Sequence, residues 1–184
     1  MDLTKIRRIW EGNARHDAAY SVLSVPGTEA GKWDDDAFFA TGGQNLRTIE
    51  ASLQKFSEPF PNGTALDFGC GLGRLSRALA GRFASVTGVD ISEQMVASAQ
   101  RRNADKPNCH FLVNFDAGLT QLKSASFDLV LTLMVLQHMP RVLARAYLAA
   151  FKRVLAQGAY SFFNFRRTVN RGLRTPCVPS VRKS

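Results

Sequence analysis

The stretch "ALDFGCGLGRLSRALA", residues 65–80, decides how the rest of the chain reads. An apolar run, Thr64–Phe68, carries an aspartate and then breaks into glycines at 69, 71 and 73. Its pattern predicts a strand, a tight loop and a helix over 73–80. Leu75, Ala78 and Leu79 form that helix's apolar stripe, and Gly81 stops it. Glycines at this spacing let backbone N–H groups approach a ligand, and the helix behind them turns its positive end the same way. A carboxylate or phosphate is therefore the expected guest. Arg74 stands where a G-x-G-x-x-G fingerprint needs its third glycine, which counts against an NAD-dependent dehydrogenase. The loop lacks the Gly-Lys-Ser/Thr of a Walker loop. It reads D-x-G-x-G-x-G instead, and Asp67 suits a positive group while repelling a pyrophosphate. An amino-acid moiety, ammonium and carboxylate together, satisfies both halves.

Outward from the loop, short apolar runs alternate with helical periodicity, the pattern of βαβ units on a parallel sheet. A second strand over 85–89 ends in Asp90, and Ser92 caps the helix "EQMVASAQRR". A carboxylate at Asp90 can accept from both hydroxyls of a ribose. A third strand over 109–114 runs into Phe115 and Asp116. Asp116 can take an adenine amine, with Ile91 and Phe115 sandwiching the base. A fourth strand is expected over 127–133. Pro140 then opens a helix that Gly158 closes, and a fifth strand follows as "AYSFFNF". Amino acid, ribose and adenine in a row spell S-adenosylmethionine.

With these residues in place, the chain resembles the class I S-adenosylmethionine-dependent methyltransferases of small-molecule type. "LDFGCGLGRLSRALA", "VTGVDISEQMVASAQRR", "FLVNFDAGLTQL", "FDLVLTLMVLQHMP" and "YLAAFKRVLAQGAYSFFNF" are similar to five family motifs in the family's order, and the likeness covers about 33–165. It implies an α/β, Rossmann-like, mostly parallel sheet flanked by helices, with S-adenosylmethionine as cofactor. By position, Asp67, Gly69, Cys70 and Gly71 would line the methionine end, Asp90 the ribose and Asp116 the adenine. The upstream "WDDDAFFATG" is similar to a segment that covers the cofactor in small-molecule members. Phe38, Phe39 and Tyr20 are candidate supports for the sulfonium, and His138 is the candidate base for a hydroxyl acceptor. The family continues for about two more strands. Here a basic tail follows, so the chain reads as shortened, with the final strands of the fold missing.

The domain reading is a helical cover over 1–60, a cofactor-binding domain over 61–165 and an unstructured basic tail over 166–184. Residues 164–184 carry +6 of the net charge of +9, so the folded body is only mildly basic. Nucleic acid is an unfavoured partner. The place after the fourth strand reads "TLMVLQHM", without the Asp/Asn-Pro-Pro-Tyr/Phe of base-amine methylating enzymes. Cys70, Cys109 and Cys177 are widely spaced, which supports neither a disulfide framework nor a metal site. A polar start and a longest apolar run of only "LVLTLMVL" predict a cytoplasmic protein without a membrane segment. An open edge at the fifth strand invites a homodimer. The expected function is methyl transfer to an unidentified small molecule. The alternative is a cofactor-binding but catalytically incompetent, shortened relative.

Overall fold

The computed structural model describes residues 2–54, 61–163 and 178–179. Five parallel strands, β1 (Thr64–Phe68), β2 (Ser85–Asp90), β3 (Cys109–Val113), β4 (Phe127–Thr132) and β5 (Leu155–Phe163), lie in the order β3-β2-β1-β4-β5. A two-residue strand, β6 (Val178–Pro179), pairs antiparallel with Phe162 and Phe163 at the end of β5. The fold is the expected Rossmann-like one. The chain leaves β1 towards β2 and β3, then returns to β4 on β1's other flank. The sheet therefore has its switch point between β1 and β4, where ligands of open α/β sheets bind at the carboxyl ends of the strands. The tail expected to lack structure lies outside the described residues, apart from 178–179.

Side-chain alternation along β1 and β4 builds two cores, one on each face of the sheet. Leu66, Phe68 and Val130 meet Tyr147, Phe151 and Val154 of α5 (Arg141–Val154). Ala65, Leu129 and Leu131 meet Leu75 and Leu79 of α3 (Arg74–Ala80), with Leu46 and Ile49 of α2 (Asp35–Gln54) packed behind. On the β2–β3 flank, α4 (Glu93–Arg102) packs Val96 and Ala99 against Cys70 and Phe111. Ser92 caps α4 as expected, its Oγ accepting from Met95 N at 3.1 Å. The amino-terminal helix α1 (Leu3–Val22) is kinked at Asp17 and tied to α4 by an Arg7–Glu93 ion pair at 2.7 Å. Among the described residues, no helix is long and apolar enough to cross a membrane.

Two element boundaries differ from the sequence reading. The helix expected to end at Gly158 ends at Val154, and Gly158 sits inside β5 at φ +78°. The reason is tertiary. The amides of Ala125 and Ser126, just before β4, donate to the carbonyls of Arg153 and Val154 and take over the helix end. In the sequence, "KWDDDAFFATGGQNLRTIEASLQKF", residues 32–56, reads as a loop entering a helix near Thr41; the helix instead starts at Asp35, so Gly42 and Gly43 lie within it. Asp34 Oδ1 accepts from Ala37 N at 2.8 Å, and Asp35 and Asp36 favour the helix's positive end. Gly42 is required by packing, because a Cβ there would strike the Arg74 carbonyl of α3.

Candidate functional site

The loop after β1 forms one wall of a cavity at the switch point. Gly69, Cys70 and Gly71 line it, with Asp90 at the end of β2, Ile91 just after it, Asn114 after β3, and Leu133, Met134 and Val135 after β4. Gly69 and Gly71 have φ of +75° and +54°. A Cβ on Gly69 would enter Val135, and one on Gly71 would come within 2.7 Å of Val22 of α1. The loop's amides, read from the sequence as open to a ligand, are engaged inside the protein. Gly69 N and Cys70 N donate to Val89 O, Gly73 N to Cys70 O, and Gly71 N to Asp90 Oδ2 at 2.9 Å. Asp90 Oδ1 accepts from Ser92 N at 2.9 Å. Asp90 thus holds the loop in place while each carboxylate oxygen keeps a further lone pair.

The remaining sequence candidates divide. His138 lines the cavity and also a second cleft formed by Ile6, Ile9, Trp10, Asn13, Tyr20, Ser21 and Ser24. Trp10 meets the His138 ring edge-on at 5.6 Å. Gln137 Nε2 lies 3.2 Å from His138 Nε2. An amide nitrogen only donates, so this contact takes an unprotonated Nε2. Partial burial also holds the imidazole's pKa below its ordinary 6.5. Tyr20 therefore reaches the second cleft rather than the first. Phe38 is fully buried between Trp33 and Phe39, against Leu72 and Met95, and Phe39 lies under the Arg77 guanidinium; neither reaches the cavity wall. Phe115 is half exposed, with Arg7 4.2 Å above its ring. Asp116 folds back on its own loop, accepting from Gly118 N at 2.9 Å and Thr120 N at 2.8 Å. These two amides hold its carboxyl below the usual range.

Several cavity residues escaped the sequence reading. Asn114, buried beside Asp116, lines the wall in its place, and Tyr147, whose hydroxyl is pushed up to about 12 by burial, stands near it. Leu3, Ile6, Trp10 and Val22 close the cavity from α1. The apolar spacing of Ile6 and Trp10 is a helix signal, but nothing local says which face of the sheet it meets. Met134 has φ +61°, a conformation rare for a long side chain, and such strain gathers at ligand sites. Arg74 also lines the cavity. The sequence had flagged Arg74 only as a missing glycine.

A family profile described as a methyltransferase domain matches residues 65–158, the strands and loops that make this cavity. The chain belongs to the class I S-adenosylmethionine-dependent methyltransferases. It is 33% identical over 149 residues to a ubiquinone biosynthesis O-methyltransferase of Idiomarina loihiensis, covering 78% of this chain and 57% of that one. The chain thus spans little more than half the length of such relatives. Magnesium protoporphyrin IX methyltransferase from Synechocystis PCC 6803, solved with its cofactor bound, is 27% identical with a TM-score of 0.63, covering 89% of this chain and 75% of that one. Phosphoethanolamine N-methyltransferase 1 of Haemonchus contortus shares the fold at 20% identity and a TM-score of 0.71, covering 99% of this chain and 36% of that one.

The methyltransferase cavity fits the family's cofactor on its own observations. Gly69 and Gly71 let the loop backbone close against Val135 and Val22, where a Cβ at either position would collide. Two charged groups behind it are buried with unpartnered atoms, Asp67 Oδ1 and Arg74 Nε. Asp67 stands behind the loop, only 1% exposed, with Oδ2 accepting from Ser76 Oγ at 2.7 Å. Burial raises its pKa from 3.8 to about 6, against the opposing pull of the Ser76 hydrogen bond and of Arg74.

This shift makes a prediction for the methyltransferase's stability. The folded carboxyl keeps its proton until about pH 6, whereas the unfolded one loses it near 3.8. Between these values the folded state binds more protons, so stability falls as pH rises. Asp67→Asn removes that slope. Its Tm should exceed the wild type's at pH 7–8, by up to about 2–3 kcal/mol of stability. The gap should close below about pH 4. Calorimetric melting of both proteins across pH 4–8 checks the sign, and an Asn variant less stable at pH 8 contradicts it.

Proposed function

We propose that this methyltransferase domain transfers a methyl group from S-adenosylmethionine to a hydroxyl on a small, largely apolar acceptor. One observation carries the reading: His138 stands where the glycine-loop cavity meets the cleft lined by Ile6, Trp10 and Tyr20. The cofactor, when bound, supplies an activated methyl on a sulfonium. The protein's part is alignment, because in-line displacement depends on holding nucleophile and methyl at near-attack distance. In this reading Asp67, Gly69, Cys70 and Gly71 take the amino-acid end, Asp90 takes the ribose, and Ile91 and Asn114 flank the adenine. The apolar cleft under α1 receives the acceptor with its hydroxyl towards His138, whose lowered pKa leaves it ready to accept a proton at pH 7. The O-methyltransferase named above as a relative supports a hydroxyl rather than an amine.

The experiment is a transfer assay with methyl-labelled cofactor, the purified chain and a panel of phenols, alkyl alcohols and amines. Label on the oxygen of a phenol supports the reading. Label on amines alone overturns the choice of acceptor atom. Calorimetric cofactor binding with no transfer to any acceptor supports binding without catalysis. Absence of cofactor binding rejects both.

A further inference from the structure

Arg74 is a buried cation without an anion. It opens α3 and is 3% exposed. Its Nη1 donates to Thr41 Oγ1 at 3.1 Å and Asn45 Oδ1 at 2.7 Å, both neutral groups of α2. Nε is buried and unpartnered, and no ion pair reaches the guanidinium from any described residue. Desolvating a charge is costly unless an opposite charge or a full set of hydrogen bonds compensates it. Asp67 acts on Arg74 through space, but its carboxylate is bonded to Ser76. Arg74 also lines the cavity, where it is the sole Lys or Arg among the lining residues.

The other features that could hold an anion there do not. The amides of Gly69, Cys70, Gly71 and Gly73 are bonded within the protein. Helix α3 has only seven residues, too short to offer an anion site of its own. Thr41 and Asn45 grip one nitrogen, Nη1, and leave the Nε–Nη2 edge, the side of the fork that matches a carboxylate's two oxygens.

We propose that Arg74 receives the carboxylate of the cofactor's amino-acid end on its Nε–Nη2 edge, with α2 acting through Thr41 and Asn45 to aim it. This rests on the S-adenosylmethionine reading above. The cofactor's carboxylate and ammonium then meet two of the buried groups with unpartnered atoms, Arg74 and Asp67. Arg74, standing where a dinucleotide loop has glycine, becomes the residue that distinguishes an amino-acid-bearing nucleoside from one without it.

Calorimetry on the full chain tests this with two ligands, S-adenosylmethionine and its decarboxylated analogue, which keeps the sulfonium and the amine. Wild type should favour the carboxylated ligand by roughly 10- to 100-fold. Arg74→Gln should weaken S-adenosylmethionine by a similar factor and leave the decarboxylated analogue within about threefold. Arg74→Lys, which keeps the charge but not the fork, should fall between them. Equal loss for both ligands shows a purely structural residue and overturns the proposal. Wild-type protein that does not discriminate between the ligands also overturns it, and this needs no variant to fold. In those outcomes the cofactor reading survives. A wild type that binds neither ligand removes both.

Discussion

His138→Gln is expected to reduce the rate of methyl transfer to a hydroxyl acceptor by roughly 10²- to 10⁴-fold, the usual contribution of a positioned general base. Cofactor affinity should stay within about threefold, because the groups proposed to hold the cofactor are the glycine loop, Asp90 and Arg74, not His138. A phenol holds its proton at pH 7, and His138 stands at the junction of the two cavities. Only its partial burial perturbs it, lowering its pKa from 6.5. The unprotonated form accepts the proton. The wild-type rate should therefore fall as pH drops through that lowered pKa and reach its plateau below neutrality. The variant should lose this inflection. Single-turnover transfer measured from pH 5 to 8 gives both results. A variant with wild-type kcat and a raised KM would make His138 a wall of the acceptor cleft and nothing more.

Gly71→Val should abolish measurable cofactor binding, a loss of more than about 100-fold, while leaving a folded sheet. Two causes act together. Gly71 sits at φ +54°, where a β-branched residue is strained by roughly 1–2 kcal/mol. Its Cβ would also stand 2.7 Å from Val22 Cγ2, so the end of α1 must move off the cavity. The backbone shift then draws Gly71 N from Asp90 Oδ2 and disturbs the carboxylate proposed to read the ribose. The steric part can be separated. In a Gly71→Ala background, Val22→Ala should recover part of the lost affinity, because it empties the space the new methyl needs. Titration calorimetry on the four proteins of that cycle reads the coupling. Wild-type affinity in Gly71→Val would place the amino-acid end elsewhere.

The loop that matters in both predictions was legible as a loop from its glycines, and its chemistry only in part. D-x-G-x-G-x-G requires left-handed backbone at 69, 71 and 73, and all three positions adopt it. The pattern does not say where the freed amides point. They point back into the sheet and towards Asp90, because a loop that must turn so tightly finds its nearest acceptors in its own protein. The acidic positions behaved differently. Asp90 lies at the cavity because strand length and the β2–α4 turn fix it there. Asp116 sits three residues past its strand, in a loop with two nearer amides to bind, while Asn114 takes the wall. Phe38 and Phe39 carry the right chemistry for a sulfonium, but the early start of α2 rotates them into packing against Leu72, Met95 and Arg77.

The succession of strands and helices, the parallel sheet and the glycine loop between β1 and α3 were written in local patterns: apolar runs, caps and glycine spacing, all short-range physics that a chain carries wherever it is placed. The partners of those patterns were not. Which face α1 covers, why Gly42 must lack a side chain, where α5 ends, and that Arg74 is a stranded charge rather than a missing glycine each depend on groups about 20 or more residues apart meeting in space. Burial and desolvation arise only from that meeting, and they are what set Arg74 and Asp67 apart as buried charged groups with unpartnered atoms.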